Sequence, residues 1–425
     1  MRMSRRAIVA LAALATVGAL TACGQESGTT GGDGGATGTI TYFTFSAAPD
    51  HLKDLDAIRT AFETDNPGIK VEVRSAAYKD YFTALQTQIA GGNAPDTFEL
   101  NYENFYMYAR NGALLALNDQ AARDTNYHAE RIYPKALSAF QVDGKQYALP
   151  ATFSNVVLFY NKKLFDAAGL AYPTSSWTWA DEKAAAEKLT NRAAGVYGNY
   201  QPVSFYEFYK ALGQNGGSFL SADGKKATFN DAKGVETAKW LIGKPGTVMP
   251  TVAEIGGQAD FDTALFKSNK LAMWHNGIWQ MATLNDTKDL SYDIAVEPGN
   301  TQKSNAVFMN STAVSASTKK AAAAWKWALY LSASQKTVET RLASSWELPA
   351  VNDQSAFDSY LKLPPTNRKA VFDALGSIAL PPVIGDQQSK MQDLVTQALE
   401  QAASGQKPVD QALNDAAAAV TALIK

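Results

Sequence analysis

Residues 39–73 read TITYFTFSAAPDHLKDLDAIRTAFETDNPGIKVEV, and the period of their apolar residues changes twice. Thr39 to Phe45 alternates and is rich in β-branched and aromatic residues, which predicts a strand. Leu52 to Thr64 has the pattern of an amphipathic helix, stopped near Pro67 and Gly68, and Ile69 to Val73 predicts a second strand. The alternation continues with a helix over Asp80 to Ala90, ended by Gly91 and Gly92, and a strand over Thr97 to Leu100. Strands and helices in this order predict an α/β fold built on a doubly wound, mostly parallel sheet flanked by helices. Open sheets of this kind bind ligands beyond the carboxyl ends of their strands. The loops at Phe45 to Pro49, Ala76 to Tyr81 and Asn101 to Asn104 are therefore the first place to look for a site.

Upstream of this unit the chain changes character. Arg2, Arg5 and Arg6 precede an apolar run from Ala7 to Leu20, the pattern of an export signal. The run is short for a bilayer span, which takes roughly 20 apolar residues. It closes on Leu20, Thr21, Ala22 and Cys23, a bacterial lipobox, so residues 1–22 are expected to be removed and Cys23 to carry a lipid. Ser4 to Val9 also resembles a twin-arginine signal, which leaves export by Sec or Tat open. Residues 23–38 hold the lipidated cysteine and a Gly-, Thr- and Ser-rich flexible tether. The expected location is the outer face of the cell membrane.

Downstream, nearly four hundred residues at 46% hydrophobic content exceed one ordinary core, so two lobes are expected. Tyr147 to Pro150 leads into a strand at Val156 to Asn161, where the chain first crosses between lobes. Leu271 to Trp274 is strand-like, and Ala306 to Met309 with Thr312 to Ser315 predicts the return crossing. The expected division is a first lobe over 39–150, a second over 151–309 and a return to the first over 310–360. Helices over 361–425 are expected to pack on the second lobe or the hinge.

Five segments carry a family resemblance. They are FETDNPGIKVEV (62–73), GGNAPDTF (91–98), YALPATFSNVVLFYNKKLF (147–165), FKSNKLAMWHNGIWQ (266–280), and the Ala-rich helix 321–331 after its Ser/Thr/Lys turn. In this order, behind a lipobox, the chain resembles the extracellular solute-binding proteins of bacterial ABC importers, in the carbohydrate class that includes maltose-binding protein. The resemblance implies a two-lobe, type II periplasmic-binding-protein-like fold with hinge crossings and a ligand cleft between the lobes. It further implies a sugar as cargo, an ABC permease as partner, a monomer, and closure by hinge motion.

Sugar sites combine flat aromatic faces with carboxylates and amides that pair with hydroxyls. Trp279, after Asn276, Gly277 and Ile278, matches the family's strand-to-helix turn carrying a stacking ring; a core tryptophan at a helix start is the competing reading. Trp274 reads as core. Asn101 and Glu103 match the first-lobe polar cluster, although the same residues suit a helix cap. Maltose-binding protein's aromatic in this loop is replaced by Leu100, so Phe45, Tyr78 and Tyr81 are the candidate platforms. Ser154 and Asn155 lie on the crossing strand, Asn310 on the return. Of Phe205, Tyr206 and Tyr209 one is expected to face the cleft, and Tyr206 is chosen. Trp346, beside Glu347, is a further candidate, with closure over a core as the alternative.

No motif calls for a cofactor. His51, His128 and His275 are scattered, without a metal-binding pair. The net charge of -2, with no Lys/Arg block, argues against nucleic acid. Ser317 to Lys320 fits S-x-x-K but lacks its partner motifs and reads as a capping turn. An enzyme is not expected. The alternatives are a polyamine, peptide or phosphate-ester binder, and a secreted glycosidase.

Overall fold

The structure, a computed structural model, describes residues 37–258, 260–284 and 287–424. The expected export segment, Cys23 and the tether through residue 36 lie outside these residues. Among them no helix is long and apolar enough to cross a membrane.

Strands β1 (Gly38–Thr44), β2 (Ile69–Ser75) and β3 (Thr97–Asn101) form the parallel unit expected from the sequence, in the order β2-β1-β3 with Ile40 opposite Val71 and Tyr42 opposite Thr97. The helix between the first two, Pro49–Asp65, starts with proline at its first turn and buries Leu55, Ile58 and Phe62 on one face. Trp327, from the helix Ala321–Ala333, packs edge-on against Phe62 and Tyr42, with centroids 5.0 and 5.6 Å away. A small hairpin, β4 (Gln141–Val142) and β5 (Lys145–Gln146), turns through Asp143 and Gly144, both at positive φ, as a two-residue hairpin turn demands.

Two long strands then tie the molecule together. β6 (Ala148–Asn161) is 14 residues long. Its first half pairs antiparallel with β9 (Asn305–Val314), and its second half with β7 (Met273–Gly277) and β8 (Tyr292–Ala295). β9 continues the first sheet by pairing antiparallel with β3. The short strands β10 (Leu348–Pro349) and β11 (Ile378–Ala379) add to β6 and β9. The sheet is thus more mixed than the mostly parallel one expected. A strand that leaves a lobe and one that returns through the same seam must run in opposite directions, so the crossings add antiparallel ladders to a parallel core. The register shift between Pro150 and Thr152 falls where proline has no N–H to offer the ladder.

Beyond the crossing, helices Phe205–Gln214, Ala232–Ile242, Gln388–Ala403 and Val409–Leu423 share one core through Phe208, Leu241, Val395 and Leu413. This places the start of helix Phe205–Gln214 opposite the carboxyl ends of β1, β2 and β3.

Candidate ligand-binding cleft

Three successive strand-to-helix turns of the first lobe end at one cleft of about 480 Å3. Phe45 and Ser46 follow β1, Tyr78 opens the helix after β2, and Asn101 and Glu103 stand where β3 enters the helix Tyr102–Arg110. The crossing strands contribute Ser154 and Asn310 with Phe308, and the segment before β10 contributes Trp346 and Glu347. The second lobe supplies Ser204, Tyr206 and Glu207 from one helix start, then His275, Asn276, Gly277 and Trp279 from the end of β7.

All the residues expected at a site line this cleft except Tyr81 and Asn155. Tyr81 is fully buried and stacks on Phe43 at 4.6 Å; its hydroxyl donates to the backbone carbonyls of Phe43 and Glu99 at 3.0 and 2.7 Å. It shares the inner helix face with Leu85, four residues on, and pins that helix to the sheet. Asn155 donates to the Val371 carbonyl at 2.8 Å from the opposite face of β6. Neighbouring strand residues point to opposite faces, so Ser154 and Asn155 cannot share one cleft wall. Trp346 reaches the lining, yet it is 3% exposed. His51 stacks on its ring at 4.1 Å and the Arg341 guanidinium sits 4.8 Å from its centroid, which leaves no free face. Tyr206 is the cleft-facing member of its trio; Phe205 and Tyr209 are core.

Two aromatic walls face each other. Phe45 meets Tyr78 edge-on at 5.4 Å on the first lobe, and Trp279 and Tyr206 flank Phe308 at 5.9 and 5.8 Å on the other side. The Trp279 ring lies directly over Gly277, where a Cβ would stand 1.9 Å from the indole Cζ3. Gly277→Ala is therefore expected to displace the indole and cut ligand affinity at least tenfold while the melting temperature moves by only a few degrees; calorimetry on the variant checks this, and unaltered affinity would show that the ring pose is immaterial.

The walls also touch. The Tyr78 and Tyr206 hydroxyls are 3.0 Å apart, and the Tyr206 hydroxyl donates to Glu103 Oε1 at 3.3 Å. Asn101 Nδ2 donates to Tyr78 at 2.9 Å and to Glu103 Oε1 at 2.7 Å. Burial pushes the Glu103 carboxyl up to about 7, against the opposing hydrogen bond from Tyr206. Glu347 accepts from Thr152 at 2.6 Å and from Asn310 at 2.9 Å.

Just below the floor, Glu99 accepts from the Thr44 and Ser46 hydroxyls and is raised to about 7, by burial first and by the nearby Glu347 charge second. A carboxyl whose folded value lies above its unfolded one favours the fold when protonated. That contribution is full below the ordinary value near 4.5 and is lost as pH rises through about 7. Glu99→Gln is expected to match the wild type near pH 5 and to exceed its stability at pH 8 by on the order of 2 kcal/mol. Urea unfolding at the two pH values checks it, and a variant weaker at both would reverse the sign.

Behind the second-lobe wall lies a buried ion network. Lys210 Nζ is 2.7 Å from Glu207 and 2.6 Å from Glu297; Lys244 Nζ is 2.7 Å from Glu182. His275 Nδ1 is 2.6 Å from Glu297 and Nε2 is 3.2 Å from Glu182. Burial pulls the imidazole down, but the two carboxylates outweigh it and raise its pKa. Three carboxylates thus face two ammonium groups and an imidazolium. Glu207, His275 and Glu297 have the donor types of a metal centre. The Lys210 ammonium already supplies the positive charge between the two carboxylates, so the set does not call for a metal ion.

His51, His275, Glu207 and Phe308 escaped the sequence reading. Scattered histidines carry no local pattern beyond metal ligation, and Glu207, three residues after Ser204, has the spacing of a capping pair; Ser204 does accept from its backbone N–H.

The pattern that defines the bacterial extracellular solute-binding proteins matches residues 57–362. The structure of the ABC substrate-binding protein Lmo0181 from Listeria monocytogenes, in complex with cycloalternan, is 42% identical, covers 90% of this chain and 97% of its own, and superposes with a TM-score of 0.86. The maltodextrin-binding protein MdxE of Bacillus subtilis is 24% identical over 80% of this chain and 75% of its own length. The GacH receptor of Streptomyces glaucescens, at 21% identity over 91% of this chain and 98% of its own with a TM-score of 0.77, shares the fold.

Proposed function

Because the chain belongs to the bacterial extracellular solute-binding proteins, we propose that it is the substrate-binding subunit of an ABC sugar importer, which takes a mono- or oligosaccharide into its cleft and delivers it to the membrane permease. The observation that supports the cargo is the lining itself. Rings on opposing walls, the half-buried Trp279, Tyr206 and Phe308 against the half-buried Phe45 and the exposed Tyr78, offer faces to sugar C–H groups. Asn101, Glu103, Ser154, Asn276, Asn310 and Glu347 among them supply acceptors and donors for hydroxyls. Carbohydrates named for the relatives, maltodextrin and cycloalternan, support the same class.

The lobes close about the crossing strands near residues 150–156 and 305–310, with lobe 1 beginning at 39–150 and lobe 2 spanning 151–309. The protein works as a monomer outside the membrane, held by a lipid on Cys23 after export by Sec or Tat. It binds without turnover, and no phosphate ester is expected, since no Lys or Arg lines the cleft among the described residues.

A thermal-shift screen of the purified protein over mono-, di- and oligosaccharides, with chromogenic glycosides alongside, tests the proposal. One sugar class is expected to raise the melting temperature and be recovered unaltered. Released chromophore would replace the reading with a glycosidase, and indifference to every glycan would end it.

A further inference from the structure

Of the carboxylates that line the cleft, two have a cation at hand. Glu207 is paired with Lys210 at 2.7 Å. Burial raises the Glu347 carboxyl, and the nearby Arg341 charge opposes that rise. Glu103 differs. It is 1% exposed, its Oε1 is held by Asn101 and by Tyr206 of the facing lobe, and its Oε2 has no hydrogen-bond partner among the described residues. The titratable groups around it are the hydroxyls of Tyr78, Tyr102, Tyr206 and Tyr209, and among the described residues no Lys, Arg or His pairs with it. Above pH about 7, where the Glu103 carboxyl is ionised, a buried carboxylate with spare acceptor capacity and no counter-charge repels a second anion strongly, because burial weakens the screening of the pair.

We propose that Glu103 is the charge filter of the cleft: the site admits uncharged and basic sugars and excludes those bearing a carboxylate or phosphate. The proposal rests on the sugar reading above and adds the determinant that sorts sugars within it. Three features converge on it. The unpartnered oxygen belongs to a residue that lines the cleft. No Lys or Arg lines the cleft among the described residues to welcome an acidic cargo, and the His275 imidazole there is already faced by Glu182 and Glu297. Glu103 also sits where both lobes meet, through Tyr206, so an anion near it would oppose closure as well as entry.

The test is calorimetric titration of the purified protein at pH 8.5, where Glu103 is ionised, with neutral gluco-oligosaccharides (maltose, isomaltose and cellobiose, with their trimers), their 6-carboxyl counterparts and their 6-amino counterparts. Within the series that binds, the acidic member is expected to bind at least tenfold more weakly than the neutral one, and the amino member at least as tightly. In Glu103→Gln, or in Glu103→Met as a second charge-free variant of similar length, the neutral-to-acidic ratio is expected to fall below threefold. Equal binding of neutral and acidic members, or an unchanged ratio in both Glu103 variants, overturns the inference and leaves the sugar reading standing. Failure of every member, whatever its charge, removes the sugar reading and the filter with it.

Discussion

Lys210→Ala is expected to lower the unfolding free energy by about 3–5 kcal/mol, the largest loss we anticipate from a single change away from the hydrophobic cores. The Lys210 side chain is fully buried, with Glu207 at 2.7 Å and Glu297 at 2.6 Å, the latter also inaccessible to solvent. Without the ammonium, Glu297 keeps the His275 imidazole and Glu207 keeps the Gln201 amide, with no other ion pair to either among the described residues. Removing one partner of such a cluster costs the desolvation of the charges left behind, which the original pairing had offset. The deficit should shrink as pH falls toward 4. Glu297 is held below the ordinary carboxylate range, with Lys210 the chief opponent of its burial, so without the lysine it takes up a proton more readily and its charge disappears. Denaturant melts at pH 7.5 and pH 4.5 measure both effects. A loss under 1 kcal/mol at the higher pH would mean that water reaches the cluster and screens it.

That network was invisible in the sequence for a physical reason. Glu207 and Lys210 are three residues apart on a helix, a spacing that on most helices marks a solvated surface pair. Nothing in the local pattern reveals that Glu297 and His275 close over them from other elements. The parallel unit β1-β2-β3 was legible because its strands and helices are each long enough to show their own period. The crossing strands were legible only in pieces. β6 runs unbroken through Ala148–Asn161, but Pro150, Thr152, Ser154 and Asn155 interrupt its apolar run: Ser154 faces the cleft, Thr152 donates to Glu347 of the lining, and Asn155 ties the opposite face of the strand to Val371. Most of the cleft could be found because strand ends and a family pattern both point at it. Tyr81 and Trp346 could not be sorted, since burial by Phe43 in one case and by His51 and Arg341 in the other is a matter of tertiary contact.

Trp279→Ala is expected to weaken sugar binding at least tenfold, about 1.4 kcal/mol, with the fold intact. The two halves of that expectation come from one geometric fact. The ring is laid flat over Gly277 and against Phe308, half-buried at the cleft wall, whereas the neighbouring Trp274 is wholly inside and donates to Asp262 at 3.1 Å. Loss of Trp279 therefore opens the cleft and leaves the core packed. An aromatic ring fixed by its own backbone and one neighbour loses little freedom when a sugar stacks on it, so the contact area converts efficiently into affinity. Trp279→Phe keeps a flat apolar face at the same place and should recover most of the binding, which a purely space-filling role for the indole would not require. Calorimetry of both variants against the sugar identified by thermal shift decides the matter: equal affinity for the wild type and the alanine variant would move the platform to Phe45 and Tyr78 on the opposite wall.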